Sequence, residues 1–191
     1  KVIVLVDFNV PHEGVVVKDD FRIRKTLPTI NFLREKGAKI FLLSHIGSDT
    51  NESLRFVAEY CKKYFPTIFA ESVEVARSID LEDGEVAMLE NVRLLSDGEI
   101  TNNLKFAEEL ASLGDIYVNE AFSLSHRPHA SVIGVPKVLP SYAGFLFAEE
   151  VENLSKAFNP THPFIFVFGG KKAETKTPLI ERFISTADKL F

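Results

Sequence analysis

Cysteine occurs once in 191 residues, as Cys61. One thiol builds neither a disulfide framework nor a cysteine-based zinc site, and it fits a reducing compartment. It falls in the apolar-periodic stretch Phe56–Phe65, where a core thiol is expected. An excess of positive charge is also missing. The 22 basic and 27 acidic residues leave a net charge of -5, which argues against a general nucleic-acid binder with a basic face. No run reaches the ~20 apolar residues of a membrane span, and no signal peptide opens the chain. Lys1 leads directly into a strand, which leaves open whether the natural chain starts there. Internal repeats and low-complexity tracts do not stand out, and there is neither a Gly-x-x-x-x-Gly-Lys-Ser/Thr loop nor a His-Glu-x-x-His pair.

What is present is an alternation of apolar runs and helical patterns. Hydrophobic residues make up 46% of the chain, enough for a packed core rather than disorder. Val2–Val6, Ile40–Leu43, Thr67–Ala70, Val86–Leu89 and Ile116–Val118 read as strands, several of them without polar interruption, as in strands buried on both faces. Between them, Arg22–Lys36, Ser53–Tyr64, Ser72–Ile79 and Asn103–Leu113 read as helices, with Gly37 and Gly114 as stops. This order predicts an α/β fold: a parallel sheet with helices on both faces, a Rossmann-like three-layer arrangement. Pro136–Pro140 breaks the pattern, Phe145–Phe158 reads as an acidic helix, and Asn159–Pro163 ends it. Phe164–Phe168 then reads as a strand and about Thr177 to Leu190 as a helix. A lone strand–helix unit has no sheet to enter, so residues from about 160 onward are expected to begin a second, incomplete α/β domain.

Charged and polar residues gather where the strands end. In an open parallel sheet these ends share one rim, and ligands bind there. Asp7 and Asn9 follow the first strand. At i and i+2 on an extended segment they point the same way and suit ligand hydroxyls, although an Asx turn before Pro11 explains them too. His45 follows the second long strand in Ser44-His45-Ile46-Gly47, either donating to an anion or capping the loop. Arg93 follows Val86–Leu89, either presenting charge or pairing with Glu90 at the surface. Arg22 opens the first helix, and Arg127 lies between His126 and His129. Two histidines around an arginine suggest a metal at first sight, but no carboxylate stands at helical ligand spacing, and no metal site is assigned. The arginines suit a small, multiply charged anion, because a planar guanidinium gives paired bonds to carboxylate or phosphate. Gly169, Gly170, Lys171, Lys172 and Lys176 stand between an apolar strand and a helix, a phosphate-approach design or a solvated lysine cluster.

Taken in order, these pieces resemble phosphoglycerate kinase: Val-Asp-Phe-Asn-Val-Pro (6–11), Asp20 to Ile23, Leu27-Pro28-Thr29-Ile30, Ser-His-Ile-Gly (44–47), Leu-Glu-Asn-Val-Arg (89–93), Val-Asn-Glu-Ala-Phe (118–122), His-Arg-Pro-His-Ala-Ser (126–131) and Gly-Gly-Lys-Lys (169–172). The resemblance spans nearly the whole chain and about the first half of the family's two-domain chain. It implies a phosphoglycerate-binding domain at 1–144, an interdomain helix at 145–159 and the first strand–helix unit of a nucleotide domain at 160–191. The implied reaction is the glycolytic transfer of a phosphoryl group between 1,3-bisphosphoglycerate and ADP, giving 3-phosphoglycerate and ATP. By motif, Asp7, Asn9, Arg22, His45, Arg93 and Arg127 bind the acid substrate, and Arg22 with Lys172 and Lys176 are the catalytic groups. Gly169, Gly170, Lys172 and Lys176 face nucleotide phosphates, and Mg²⁺ arrives with ADP or ATP, held mainly by the C-terminal domain. The family also implies a cytoplasmic enzyme, monomeric when complete, with no nucleic-acid or membrane partner. A non-catalytic phosphorylated-acid-binding module, or a degenerate homologue, is the alternative.

The chain departs from the family pattern at four places. Leu5 stands where an arginine is usual, and Ser48 replaces a substrate-binding arginine, with Asp49 beside it. Glu120 stands for aspartate and Lys171 for alanine. Losing one charged hydrogen bond from a phosphate clamp costs about 1.5–3 kcal/mol.

Overall fold

The computed structural model of the protein describes residues 1–47, 51–169 and 177–191. Its chain forms two compact units, Lys1–Glu149 and Glu150–Phe191.

The first unit is built on a sheet. In chain order its elements are β1 (Val2–Leu5), a hairpin of β2 (His12–Glu13) and β3 (Val16–Val17), α1 (Phe21–Glu35), β4 (Ile40–Leu43), α2 (Arg55–Cys61), β5 (Thr67–Ala70), α3 (Val73–Ser78), β6 (Val86–Leu89), α4 (Val92–Leu95), α5 (Leu104–Ala111), β7 (Ile116–Asn119) and β8 (Ser141–Ala143). Six strands lie in the order β5-β6-β4-β1-β7-β8, each pair parallel. β1 is central, with Val2 opposite both Ile40 and Ile116.

Strand alternation separates two cores. Val2, Val4, Ile40, Leu42, Val86 and Met88 pack with Ile23 and Ile30 of α1 and Val57, Ala58 and Cys61 of α2. Ile3, Leu5, Phe41, Leu43, Ala87 and Leu89 pack with Val73 and Ala76 of α3 and Phe106 and Leu110 of α5. Both faces are therefore covered, as the uninterrupted apolar runs require. Cys61 is a buried core thiol, its pKa pushed up to about 12 by burial.

Helix ends follow local chemistry. The Ser72 hydroxyl accepts from the Val75 amide at 3.2 Å, and the Asn103 side-chain carbonyl accepts from the Phe106 amide at 3.2 Å, each capping the next helix. Gly37, at φ 75°, stops α1 in the left-handed region. Several helices are shorter than their periodicity suggests. α2, expected over Ser53–Tyr64, covers Arg55–Cys61, because Ser53 and Leu54 bond instead to Glu90.

Two features differ from the sequence expectation in kind. Past the proline-rich break, Ser141–Ala143 adds a sixth strand at the β7 edge, a segment too short for its period to be read. In the second unit, the helix expected to reach Leu190 ends at Phe183. The unit comprises most of α6 (Phe145–Ser155), β9 (Ile165–Phe166), α7 (Thr177–Phe183) and β10 (Lys189–Leu190). β10 pairs in parallel with β9, so Phe164–Phe168 does contribute a short strand to a two-stranded sheet. The Asp188 carboxylate accepts from the Phe164 amide at 2.6 Å and turns the chain into that pairing. Leu179, Phe183, Ile184 and Leu190 do not discriminate a helix from a helix followed by a strand. Among the described residues, no helix is long and apolar enough to cross a membrane.

Phe41 is fully buried on β4, two residues before that strand ends at the rim. Phe41→Ala is expected to lower unfolding stability by about 3–5 kcal/mol, measured as a fall in the urea midpoint at unchanged slope. A loss below about 1 kcal/mol, the range of a surface change, contradicts this packing.

Candidate anion-binding rim

Where β1 leaves the sheet, Asp7 becomes a hub. Its Oδ2 accepts from Arg22 Nη1 and from Ser123 Oγ, each at 2.5 Å, and its Oδ1 accepts from the Asn9 amide at 3.3 Å. One carboxylate thus ties the ends of β1 and β7 to the first turn of α1. The last of these bonds is the Asx turn considered from sequence. Arg22 is half exposed beside it, and a cleft of about 350 Å³ opens between Asn9 and Arg22, lined also by Val10, Pro11, Asp19 and Phe21.

The next two strand ends are joined through Gly47. Its amide donates to Asn9 Oδ1 at 3.1 Å, and its carbonyl accepts from Arg93 Nη1 at 2.8 Å. Gly47 sits at φ 73°, a conformation that favours a residue without Cβ. Arg93 is buried in the single turn of α4, started by Asn91 Oδ1 accepting from the Arg93 amide. The Asn91 amide group in turn donates to the carbonyls of Ile46 and Glu52 at 3.0 and 2.7 Å. Glu90 does not pair with Arg93. Its oxygens accept from Ser53 Oγ and from the amides of Leu54 and Asn91, so the surface-pair alternative is overturned. Arg93 Nε is buried without a hydrogen-bond partner.

Charge accumulates around this arginine. The pKa of His45, which is buried, is pushed down to about 4, first by burial, then by Arg93, with Arg127 and His129 adding to the effect and Asp7 opposing it. Burial, then Arg93, Arg127 and His126, lower that of His129. Arg93 is itself lowered by burial and by Arg127. His45 is therefore a neutral donor or acceptor at pH 7, while the guanidinium groups remain cationic.

Arg22 and Arg93 are thus linked through Asp7, Asn9 and Gly47, and His45 and Arg127 lie within electrostatic range of Arg93. Lys172, Lys176 and Gly170 lie outside the described residues, as do Ser48 and Asp49; Gly169 is described at the end of the preceding segment. Leu5 is buried in the core and brings nothing to the rim. Glu120 faces away from the arginines, accepting from Thr29 Oγ1 and from the amides of Leu146 and Phe147 at 3.4 and 3.2 Å. Sequence reasoning missed three participants: His129, Ser123 and Glu99. The repeated histidine in His-Arg-Pro-His marked the first; nothing in local spacing marked the others. Among the described residues no three His, Cys, Asp or Glu side chains group as metal ligands. A larger cavity of about 820 Å³ is lined mainly by apolar side chains, Val15–Val17 and Phe56 among them, and shares no residue with the rim.

A family model described as phosphoglycerate kinase matches residues 1–191. Similar curated proteins include the phosphoglycerate kinases of Fervidobacterium nodosum, 42% identical over 203 residues, and Coprothermobacter proteolyticus, 46% identical over 203 residues. The matches cover 100% and 98% of this chain, which spans about half the length of these relatives, 50% and 51%. The phosphoglycerate kinase structure from Coxiella burnetii superposes with a TM-score of 0.88 at 35% identity, covering 100% of this chain and 50% of that one. That from Pyrococcus horikoshii gives 0.90 at 30% identity, covering 99% and 51%.

The depressed His45 has a sign in stability. An unfolded histidine takes up its proton near pH 6.5, whereas the folded one resists until about 4. Its contribution is complete above pH ~6.5 and is lost as pH falls toward ~4. His45→Gln is expected to flatten the decline of the urea midpoint across that window. Identical slopes in parent and variant contradict the burial of a neutral imidazole.

Proposed function

Since the chain belongs to the phosphoglycerate kinase family, we propose that its rim binds the acid substrate of reversible phosphoryl transfer between 1,3-bisphosphoglycerate and ADP. In the direction of ATP formation, the bond from phosphorus to the acyl oxygen breaks and one to the β-phosphate oxygen of ADP forms. The departing carboxylate belongs to 3-phosphoglycerate. The observation that carries the reading is Arg93: a buried guanidinium with an unpaired Nε, beside Arg127 and a neutral His45. A buried donor without a partner is costly, and an oxyanion supplies the acceptor.

The roles are those that the family motifs imply. Arg93, Arg127 and His45 clamp the non-transferring phosphate and the carboxylate. Asp7 and Asn9 hold the substrate hydroxyl and carboxylate groups. Arg22 exchanges its bond to Asp7 for the moving phosphoryl group, whose developing charge it stabilises. Gly169, Gly170, Lys172 and Lys176 face the phosphates of the nucleotide, which enters as its Mg²⁺ complex and so brings the metal with it. Residues 1–144 serve as the acid-binding domain, 145–159 as the linking helix and 160–191 as the opening of the nucleotide domain. A cytoplasmic monomer is the corresponding form of the whole enzyme.

Titration of the chain with 3-phosphoglycerate at low salt is expected to show saturable binding that weakens as salt rises. Arg93→Ala is expected to weaken it by about 10- to 150-fold, the loss of one charged hydrogen bond. Absence of binding by the parent chain overturns the assignment.

Transfer further needs an acceptor and a nucleotide held in line, and the 191 residues offer at most Lys172 and Lys176 toward the second of these. The isolated chain is therefore expected to give no turnover in a coupled ATP-consumption assay. Turnover well above that of a Lys172→Ala control refutes the expectation.

A further inference from the structure

We propose that Glu99 is a positioning residue of the rim, one whose buried carboxylate holds the 129–131 segment so that Arg127 and His129 stand against Arg93. The inference rests on the anion-binding role given to the rim above and extends it to a group that touches no ligand.

Glu99 is almost wholly buried, at 1% exposure. It lies six residues after Arg93, in the turn that separates α4 from α5. Both of its oxygens are engaged by one segment. Oε1 accepts from Ser131 Oγ at 2.5 Å and Oε2 from the Ser131 amide at 3.0 Å. His129 Nδ1 stands 3.6 Å from Oε1, outside hydrogen-bond range. The Glu99 carbonyl accepts from the Ala130 amide at 2.8 Å. From the other side, Tyr117 Oη donates to the Ser131 carbonyl at 2.8 Å. Residues 129–131 are therefore clamped, whereas Arg127, two residues earlier, is exposed and bonded through its backbone to Leu124.

A carboxylate in such a place needs a reason. Burial raises the pKa of Glu99, and its bonds to Ser131 and the nearby Arg93 hold it down. An apolar residue would fill the space at less electrostatic cost, but it would offer the Ser131 hydroxyl and amide no acceptor. With the carboxylate present, the helical turn at Ala130–Gly134 is started at a fixed point, and Arg127 and His129 just before it are aimed at the rim. The negative charge also offsets part of the repulsion between Arg93 and Arg127.

Two readouts on the chain test this. The first is amide hydrogen exchange at Ala130 and Ser131 without ligand, compared in the parent, Glu99→Gln and Glu99→Ala. Glu99→Gln keeps an acceptor for the Ser131 amide and is expected to retain protection; Glu99→Ala is expected to lose it. The second is titration with 3-phosphoglycerate. Glu99→Ala is expected to bind at least about tenfold more weakly, with Glu99→Gln near the parent. In an Arg127→Ala/His129→Ala background, the same Glu99→Ala change is expected to cost less than about threefold, because the groups it positions are gone. A merely structural role predicts an unchanged factor in that background, and this result overturns the proposal, as does unchanged exchange at 130–131 in Glu99→Ala. If the parent chain binds no 3-phosphoglycerate, the functional reading fails and exchange alone decides the positioning. If Glu99→Ala does not fold, Ser131→Ala takes its place in both arms.

Discussion

A strand buried on both faces and bonded along both edges leaves its polar chemistry one way out, at its end. β1 is such a strand, with β4 on one side and β7 on the other. The first polar side chain it releases is Asp7. β4, β6 and β7 end at the same level because the register is in step, and their following residues arrive within bonding distance of one another. The rim is therefore a consequence of register. Ser44 shows the coupling at its smallest: its hydroxyl accepts from the Phe8 amide at 2.9 Å, joining two strand ends through one side chain. Slipping β4 by one residue would exchange its two faces and send His45 and Gly47 to the wrong sides of their loop.

The site carries an electrostatic load that the scaffold sustains. Arg93 is buried, loses hydration, and has Arg127 as a like-charged neighbour. Its hold on the Gly47 carbonyl and the opposing charges of Glu99 and Asp7 offset part of this. His45 and His129 relieve the rest by staying neutral. An oxyanion at the rim would be attracted by both guanidinium groups and so offset their mutual repulsion. Binding and folding are consequently linked, since a ligand that binds only the folded rim stabilises it by mass action. An acidic chain hosts this cationic site without contradiction, because a field focused in one cleft does not depend on net charge.

The parts of this molecule that read directly from sequence are those dominated by one physical term. Ile40–Leu43 and Val86–Leu89 coincide with their strands, because burial alone sets an apolar run between polar ends. The residues at the strand ends were also legible, since the sheet dictates where they emerge. What stayed hidden depended on competition or distance. The helix past Thr177 yields to a strand pairing that only backbone geometry reveals, and β8 is three exposed residues. Glu99 and Ser131 are 32 residues apart, and no local pattern reports such a contact. The burial of Arg93 depends on the surrounding loops, whereas its spacing is equally that of a surface residue. Lys172 and Lys176, which the family resemblance implies as phosphate-facing, lie outside the described residues.

A motif shared with a family does not make each of its residues a ligand contact, and residues 118–123 show why. They run along β7 and off its end, so successive side chains serve different sides of the fold. Asn119 Oδ1 accepts from the Ala121 amide at 2.8 Å and shapes the turn. Ser123 reaches Asp7 and thus the rim. Glu120 points the other way, to the beginning of α6, where the Leu146 and Phe147 amides belong to the first turn and have no partner within the helix. Its carboxylate is buried and its pKa raised by that burial, with the bonds to Thr29 and these amides acting in opposition. Thr29 in turn accepts from the Phe145 amide at 2.9 Å, so α1 and Glu120 together seat the helix. Where the family pattern suggests aspartate, the glutamate here serves a helix start rather than the arginines of the rim.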